Sequence, residues 1–193
     1  MLASGDYDVN EADSDGWTAL ITAAEEGHLE VINTLLLYPE VDVNKANHDR
    51  ETALMRTALK GHVDAAHSIL ASDEVDVNAT STTGKTALII AASFGHVGIV
   101  NALLVADGIA INATDGDGKT ALIHAAERGH ADIATTLLVS DDVEVNATDR
   151  EGKTALVYAT KGGYSDIIEL IATVLEAQKP TGMMAIDEED EDA

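Results

Sequence analysis

The sequence contains no cysteine, only two prolines and few aromatic residues: one Trp, one Phe and four Tyr. The absence of cysteine excludes a disulfide framework, a thiolate nucleophile and a cysteine-based zinc site. No apolar run approaches the length of a membrane-spanning helix, and residues 1–6 have neither the basic region nor the apolar run of a signal peptide. We therefore expect a cytoplasmic or nuclear protein that does not interact with membranes.

Basic residues are also scarce. The chain has 11 Lys and Arg against 35 Asp and Glu, which gives a formal net charge of −24, and six of the acidic residues form an unbroken run at 187–192. Such a field repels nucleic acid and attracts basic partners, so we expect no nucleic-acid binding. Solubility alone is the other explanation of this charge.

A strict internal repeat is the main feature of the sequence. Thr-Ala-Leu occurs five times, always 34 residues apart, at 18–20, 52–54, 86–88, 120–122 and 154–156. Gly-His recurs with the same period four times, and an Asn recurs as Asn10, Asn44, Asn78, Asn112 and Asn146. A fixed period of this length predicts an array in which one small unit is stacked on copies of itself.

The fourth copy, residues 115–148, shows what one unit contains. Residues 115–118 form a turn, Thr120 is a helix N-cap, and the first helix runs over 121–128 until Gly129 ends it. A second helix is predicted over about 131–139, and the alternation at 143–146 predicts a short strand. Neither helix is long enough to be stable alone in water, so its stability must come from neighbouring units.

These residues carry a family resemblance. The pattern Asp-Gly-x-Thr-Ala-Leu-x-x-Ala-Ala-x-x-Gly-His, followed by Ile-x-x-x-Leu-Leu and Val-x-Val-Asn, closely resembles the ankyrin repeat over about residues 2–175. The resemblance implies an all-α solenoid of stacked helix–turn–helix units with projecting β-hairpin fingers. It divides the chain into a partial repeat at 1–12, repeats at 13–46, 47–80, 81–114, 115–148 and 149–179 (the last with a cap helix ending near Lys179), and an acidic, disordered tail at 180–193.

The second copy departs from the others at one position in the turn. Arg50 stands where the other copies have Gly16, Gly84, Gly118 and Gly152. If this position has a left-handed backbone, a residue other than glycine costs about 1 kcal/mol there.

Several patterns imitate binding sites. Gly-Lys-Thr at 84–86, 118–120 and 152–154 resembles the end of a phosphate-binding loop, but Ala stands where that loop needs its first Gly. The acidic turns lack the Glu that closes a calcium loop, and His28, His62, His96 and His130 lie one per layer, too far apart to share a metal. No nucleophile, base and orienting group cluster together, so we predict no cofactor, no metal site and no enzymatic activity.

The recurring asparagines have two interpretations. In ankyrin proteins this position is a substrate of asparaginyl hydroxylases, and the context of Asn44, with Leu36 eight residues before it, resembles such a site; Asn78 is the second candidate. The alternative is an Asn that braces its finger through side-chain hydrogen bonds.

Positions that vary between copies carry any binding specificity. In the family the concave face consists of the finger turns and the last residues of the first helices; we call this surface of the chain the finger face. The resemblance places these residues on it: Asp15, Trp17, Glu25, Glu26, Asp49, Glu51, Leu59, Lys60, Lys85, Phe94, Lys119 and Arg128. It contains the only Trp and the only Phe of the chain, and its charges are acidic in the first two repeats and basic from Lys85 onward.

We therefore predict a monomeric module that binds another protein through the finger face, as a scaffold, adaptor or inhibitor. One alternative is an acidic, chaperone-like binder of basic proteins such as histones. The other is a targeting fragment of a longer multidomain protein.

Overall fold

The computed structural model describes residues 8–178, and this part of the chain forms ten α-helices. In chain order they are α1 (Ala19–Glu26), α2 (Leu29–Leu35), α3 (Ala53–Lys60), α4 (Val63–Leu70), α5 (Ala87–Phe94), α6 (Val97–Leu104), α7 (Ala121–Arg128), α8 (Ala131–Leu138), α9 (Ala155–Gly162) and α10 (Ser165–Ala177). The all-helical solenoid is confirmed, and α10 ends two residues before the predicted Lys179. The first seven residues of the predicted partial repeat and the acidic tail lie outside the described residues.

Each first helix begins and ends as its sequence predicts. In α5 the Thr86 hydroxyl accepts the Ile89 N–H at 3.3 Å, which satisfies one of the amides left unpaired at a helix start. At the other end Gly95 has a φ of 79° and donates its N–H to the Ala91 carbonyl. Threonine caps and left-handed glycines recur at the ends of all five first helices.

The helices form two parallel rows. The first helices α1, α3, α5, α7 and α9 contact one another in that order, and α2, α4, α6, α8 and α10 form the second row. Aliphatic side chains between the rows build one continuous core, in which Leu54, Leu88 and Ile133 are at most 2% exposed. Since helices of eight residues are marginal in water, this shared burial is what keeps each unit folded.

The segments between second and first helices differ from the prediction. The expected strand at 143–146 is wrong, because Ala147 donates its N–H to the Glu144 carbonyl at 3.0 Å and closes a turn there. Within residues 8–178, the only β pairing in the fingers is the two isolated bridges Ala12–Thr18 and Ala46–Thr52. In the 143–146 segment the Glu144 N–H is bonded to the Asn112 side chain and not to a neighbouring strand.

The finger turns are tied to one another along the stack. One backbone hydrogen bond joins each successive pair, from His48 to Asp15, Thr82 to Asp49, Gly116 to Thr83 and Arg150 to Asp117, with N···O distances of 2.8–3.0 Å. The turns therefore form a continuous surface beside the row of first helices. In the described part of the chain, no helix combines the length and the apolar character that a membrane crossing requires.

Arg50 has the left-handed backbone that its position in the repeat predicts. Its φ is 60°, and it is the one residue other than glycine with a positive φ among residues 8–178. The Arg50 N–H donates to the Asn47 carbonyl at 2.8 Å, so the turn is formed despite the unfavourable backbone. The equivalent Gly152 has a φ of 74°, and a Cβ added there meets no atom within 4 Å.

We expect Arg50→Gly to raise the free energy of unfolding by about 1 kcal/mol, because glycine adopts this backbone without the Cβ–carbonyl clash. Gly152→Ala is the matched control, since it introduces the same strain with no new contact and should lower stability by about 0.5–1 kcal/mol. Urea unfolding of the three proteins measures both changes. An unchanged or lower stability of Arg50→Gly contradicts the prediction.

Candidate functional site

The first two repeats meet on the finger face in a network of ion pairs centred on Arg56. Its Nη1 lies 2.7 Å from Glu51 Oε2, and its Nη2 lies 2.6 Å from Glu25 Oε2. Lys60 Nζ contacts the other oxygen of Glu25 at 2.8 Å. Two carboxylates are thus matched by two cations, so this part of the face is less acidic than Glu25 and Glu51 alone indicate.

The ion pairs of this network are partly buried and therefore less screened by solvent than ion pairs on the surface. The side chains of Arg56 and Glu25 are 13% and 16% exposed. Burial by itself raises the pKa of Glu25, but the hydrogen bonds from Lys60 and Arg56 outweigh it and hold that pKa below its usual value. The carboxylate therefore stays ionised and keeps α1 joined to α3.

Trp17 is not the free anchor that its position indicates. The Arg56 guanidinium lies over its ring, 5.0 Å from the centroid, and the side chain is partly buried against the core. Leu59 is also partly buried. Both residues lie on the finger face, but a partner would meet Trp17 with Arg56 already stacked on it.

The C-terminal repeats gather lysines around Tyr158. The Nζ atoms of Lys119, Lys153 and Lys161 lie 4.6, 5.9 and 6.0 Å from the centroid of its ring. The phenol donates to Asp149 Oδ2 at 2.6 Å, and this bond raises the pKa of Tyr158 and lowers that of Asp149. Lys119 is paired with Glu127 and Lys153 with Glu151. Lysines therefore gather around an aromatic ring at this end of the finger face, but two of the three are paired with glutamates.

A buried Asp–His pair occupies the equivalent positions one repeat earlier. Asp115 Oδ2 and His124 Nε2 are 2.7 Å apart, and the two residues are 7% and 5% exposed. Burial lowers the pKa of His124 below its ordinary 6.5, although the bond to Asp115 opposes the shift; the positive charges of Lys85 and Lys119 also lower it. His124 Nδ1 is buried without a hydrogen-bond partner in the described residues, and Glu127 lies 4.0 Å away. A proton on Nδ1 would be unsatisfied, so the neutral form is favoured.

Phe94 is the large apolar side chain that the finger face leaves free. It is the last residue of α5 and remains 49% exposed. Lys60 and Arg128 hold the same position in the neighbouring repeats, and both are exposed. Asp15, Glu26 and Asp49 are exposed as well, whereas Glu51 and Lys85 are partly buried.

Sequence reasoning missed three residues of this surface: Arg56, His124 and Tyr158. They occupy one repeat position, which is Ile90 in the third copy. The signal was present, because a position that reads Thr, Arg, Ile, His and Tyr in the five copies is variable in chemistry. It was overlooked because the position is the second residue after Thr-Ala-Leu and lies inside a helix assumed to be core.

The recurring asparagines form a ladder that joins each loop to the next. Asn44 Oδ1 accepts the Asp76 N–H at 2.7 Å, and its Nδ2 donates to the Glu74 carbonyl at 2.7 Å. Asn78 makes the same pair of bonds to Ala110 and Gly108, both at 2.8 Å. These side chains brace the following loop, one repeat further along the chain. Hydroxylation of Asn44 or Asn78 remains a proposal, and it would act on side chains whose amide groups are already hydrogen-bonded.

The serial histidines lie at the starts of the second helices, and two of them link neighbouring repeats. The His62 Nε2 lies 3.1 Å from the Glu25 carbonyl, and the His96 Nε2 lies 3.2 Å from that of Leu59. The His62 ring packs on Gly27, where an added Cβ would come within 2.7 Å of it. Among residues 8–178 there is no group of three or more His, Asp or Glu placed to hold a metal ion.

Comparison with known families gives an independent view of the chain. A family model described as ankyrin repeats, three copies, matches residues 34–115 and 107–180. A second model, of the single ankyrin repeat, matches residues 15–48. Together the matches extend over residues 15–180 and include all ten helices.

We expect Asn78→Ala to lower the free energy of unfolding by about 1–2 kcal/mol, because two hydrogen bonds between neighbouring loops are lost. Asn101, exposed on α6 without a side-chain hydrogen bond in the described structure, is the matched control. Asn101→Ala should be neutral or slightly stabilising, since alanine is the better helix former. Chemical denaturation distinguishes the two, and equal effects at both positions would contradict the role of the ladder.

Acid should destabilise the wild type more than His124→Tyr, a substitution that copies the Tyr158–Asp149 pair of the next repeat. Because the folded-state pKa of His124 is below 6.5, its contribution to stability is complete above pH 6.5 and is lost as the pH falls below that value. One such group adds a slope of at most about 1.4 kcal/mol per pH unit. Unfolding measured from pH 7.5 to 5 should give a shallower slope for the variant; parallel slopes would refute the neutral, buried His124.

Proposed function

Because the chain belongs to the ankyrin repeat family, whose members are generally non-enzymatic protein–protein interaction modules, we propose that it binds a protein partner through the finger face. In this proposal the chain acts as a scaffold, adaptor or inhibitor by occupying part of the partner's surface. It catalyses no reaction and needs no cofactor.

The observation that carries the proposal is the exposure of Phe94. An aromatic side chain that is 49% exposed, flanked by cationic residues at equivalent positions of the adjacent repeats, has the composition of an interface anchor. The row of first helices and the hydrogen-bonded turns hold this side chain on a rigid surface, so little conformational entropy is lost when a partner binds.

The charges around Phe94 favour a partner with an acidic segment. The Arg56 network is internally matched, and Lys119 and Lys153 are paired with Glu127 and Glu151, whereas the exposed Arg128 and Lys161 have no ion pair among residues 8–178. These two cations take the place of the simple division of the face into an acidic and a basic end. A carboxylate on the partner would meet them while an apolar group covers Phe94.

We expect Phe94→Ala to weaken binding of the partner by at least about tenfold, because it removes the apolar centre of the interface. The full chain, immobilised, recovers the partner from its native cell, and the purified partner is then titrated against the variants. Val31→Ala is the control, since Val31 is 46% exposed but lies on α2. Affinity that is unchanged by Phe94→Ala and falls steeply with salt would instead favour the acidic binder of basic proteins.

A further inference from the structure

A second surface lies where the second helices end, away from the finger face. One side chain per repeat stands free there: Leu37, Val105 and Val139 are 82%, 84% and 79% exposed, and Ala71 holds the same repeat position in the second copy. We call these four residues the outer row. Because the helices of the second row contact one another in sequence, the side chains of the outer row follow each other at roughly the helix-packing distance of 10 Å.

Shallow grooves separate the successive loops along this row. One groove of about 510 Å³ lies between the first and second repeats and is lined by Leu37, Val41 and Glu74 among others. The next, of about 300 Å³, is lined by Val75, Val105 and Asp107. A third, of about 400 Å³, follows between Ile109 and Asp142. Each groove thus combines aliphatic walls with a carboxylate.

The charge of this surface has one sign. The segments that contain a second helix and the loop after it, 29–44, 63–78, 97–112 and 131–146, carry twelve Asp and Glu and no Lys or Arg: Glu30, Glu40, Asp42, Asp64, Asp73, Glu74, Asp76, Asp107, Asp132, Asp141, Asp142 and Glu144. The Lys and Arg residues between 8 and 178 all lie in the other segments: Lys45, Arg50, Arg56, Lys60, Lys85, Lys119, Arg128, Arg150, Lys153 and Lys161.

From the exposed aliphatic row, the grooves and the uniform charge, we infer that the outer row is a second binding surface for an extended peptide segment with an aliphatic side chain at every third position and basic side chains between them. The aliphatic side chains fill the grooves, and the basic ones pair with the carboxylates that line them. A second copy of this chain is excluded as the occupant by charge, because two such surfaces repel each other.

The spacing of the grooves sets the spacing of the peptide side chains. A segment in the polyproline II conformation advances about 3.1 Å per residue and returns every third side chain to the same face, so every third side chain reaches the next groove about 10 Å away. The two residues between them are free to carry positive charge. A segment that repeats Lys-Lys-Leu therefore fits the row, and it fits independently of the finger face.

The test uses two synthetic 12-residue peptides, one of four Lys-Lys-Leu units and one of four Lys-Lys-Ser units, titrated against the full chain at 0.15 M salt by fluorescence anisotropy. We expect the leucine peptide to bind at least about tenfold more tightly than the serine peptide, since only leucine buries apolar surface in the grooves. The double variant Val105→Ser, Val139→Ser should weaken the leucine peptide by about tenfold or more.

Matched controls separate this surface from the rest of the molecule. Val157→Ser changes an exposed valine on the first-row helix α9, outside the outer row, and Phe94→Ala changes the finger face; both should leave the affinity for the leucine peptide within about twofold. The acidic residues beyond 178 are present in every variant, so their contribution cancels. All four positions are exposed, and thermal unfolding verifies that each variant folds.

Three results would overturn the inference. Equal affinity for the two peptides means that attraction is purely electrostatic. Unchanged affinity after Val105→Ser, Val139→Ser places the peptide elsewhere. A dimer in sedimentation velocity that the same double variant dissociates makes a second copy the occupant. Since none of these results depends on Phe94, the inference and the proposed function fail separately.

Discussion

The close approach of successive first helices is the contact on which the rest of the fold depends. Ala24, Ala58, Ala92 and Ala126 occupy one repeat position and are fully buried, so no side chain larger than a methyl group separates neighbouring helices there. The finger turns can form one backbone hydrogen bond per layer because the layers are this close. The asparagine ladder and the histidines that reach the preceding repeat need the same short spacing. A larger residue in the alanine row would strain all three at once.

Local structure follows from the sequence wherever one residue decides the backbone conformation. Thr86 and Gly95 fix the ends of α5, and Arg50 has the positive φ that its repeat position predicts, although arginine does not favour it. The strand predicted at 143–146 does not form, because the alternation of apolar and polar residues indicates only which side chains are buried. Val143 and Val145 are indeed buried, but whether a strand forms depends on which groups take the backbone hydrogen bonds. There Asn112, from another repeat, takes the Glu144 N–H and the Asp142 carbonyl.

The sequence predicts which residues form the candidate site, but it does not predict which of their charges are paired. The family pattern places Glu25, Lys60 and Phe94 on the finger face, yet a count of charges cannot say which of them are paired. Arg56 pairs two of the acidic residues, since its guanidinium contacts Glu51, five residues before it, and Glu25 in the preceding repeat. The ring of Tyr158 likewise gathers three lysines around it. The contacts of Arg56 with Glu25 and of Tyr158 with Lys119 join residues of different repeats, so they follow from the stacking distance and not from local sequence.

A stack of equal repeats also amplifies any difference in charge between its two sides. Each layer adds its charges at the same edge, about 10 Å from those of the previous layer, which is close to the screening length at physiological salt. Acidic residues that recur after the second helices therefore reinforce one another, whereas the cations beside the first helices are partly neutralised by Glu25, Glu51 and Glu127. The result is a molecule whose outer edge carries charge of one sign, whereas carboxylates and cations are interleaved on the finger face. The two binding surfaces that we propose would therefore differ in partner chemistry although both are built from a single repeated unit.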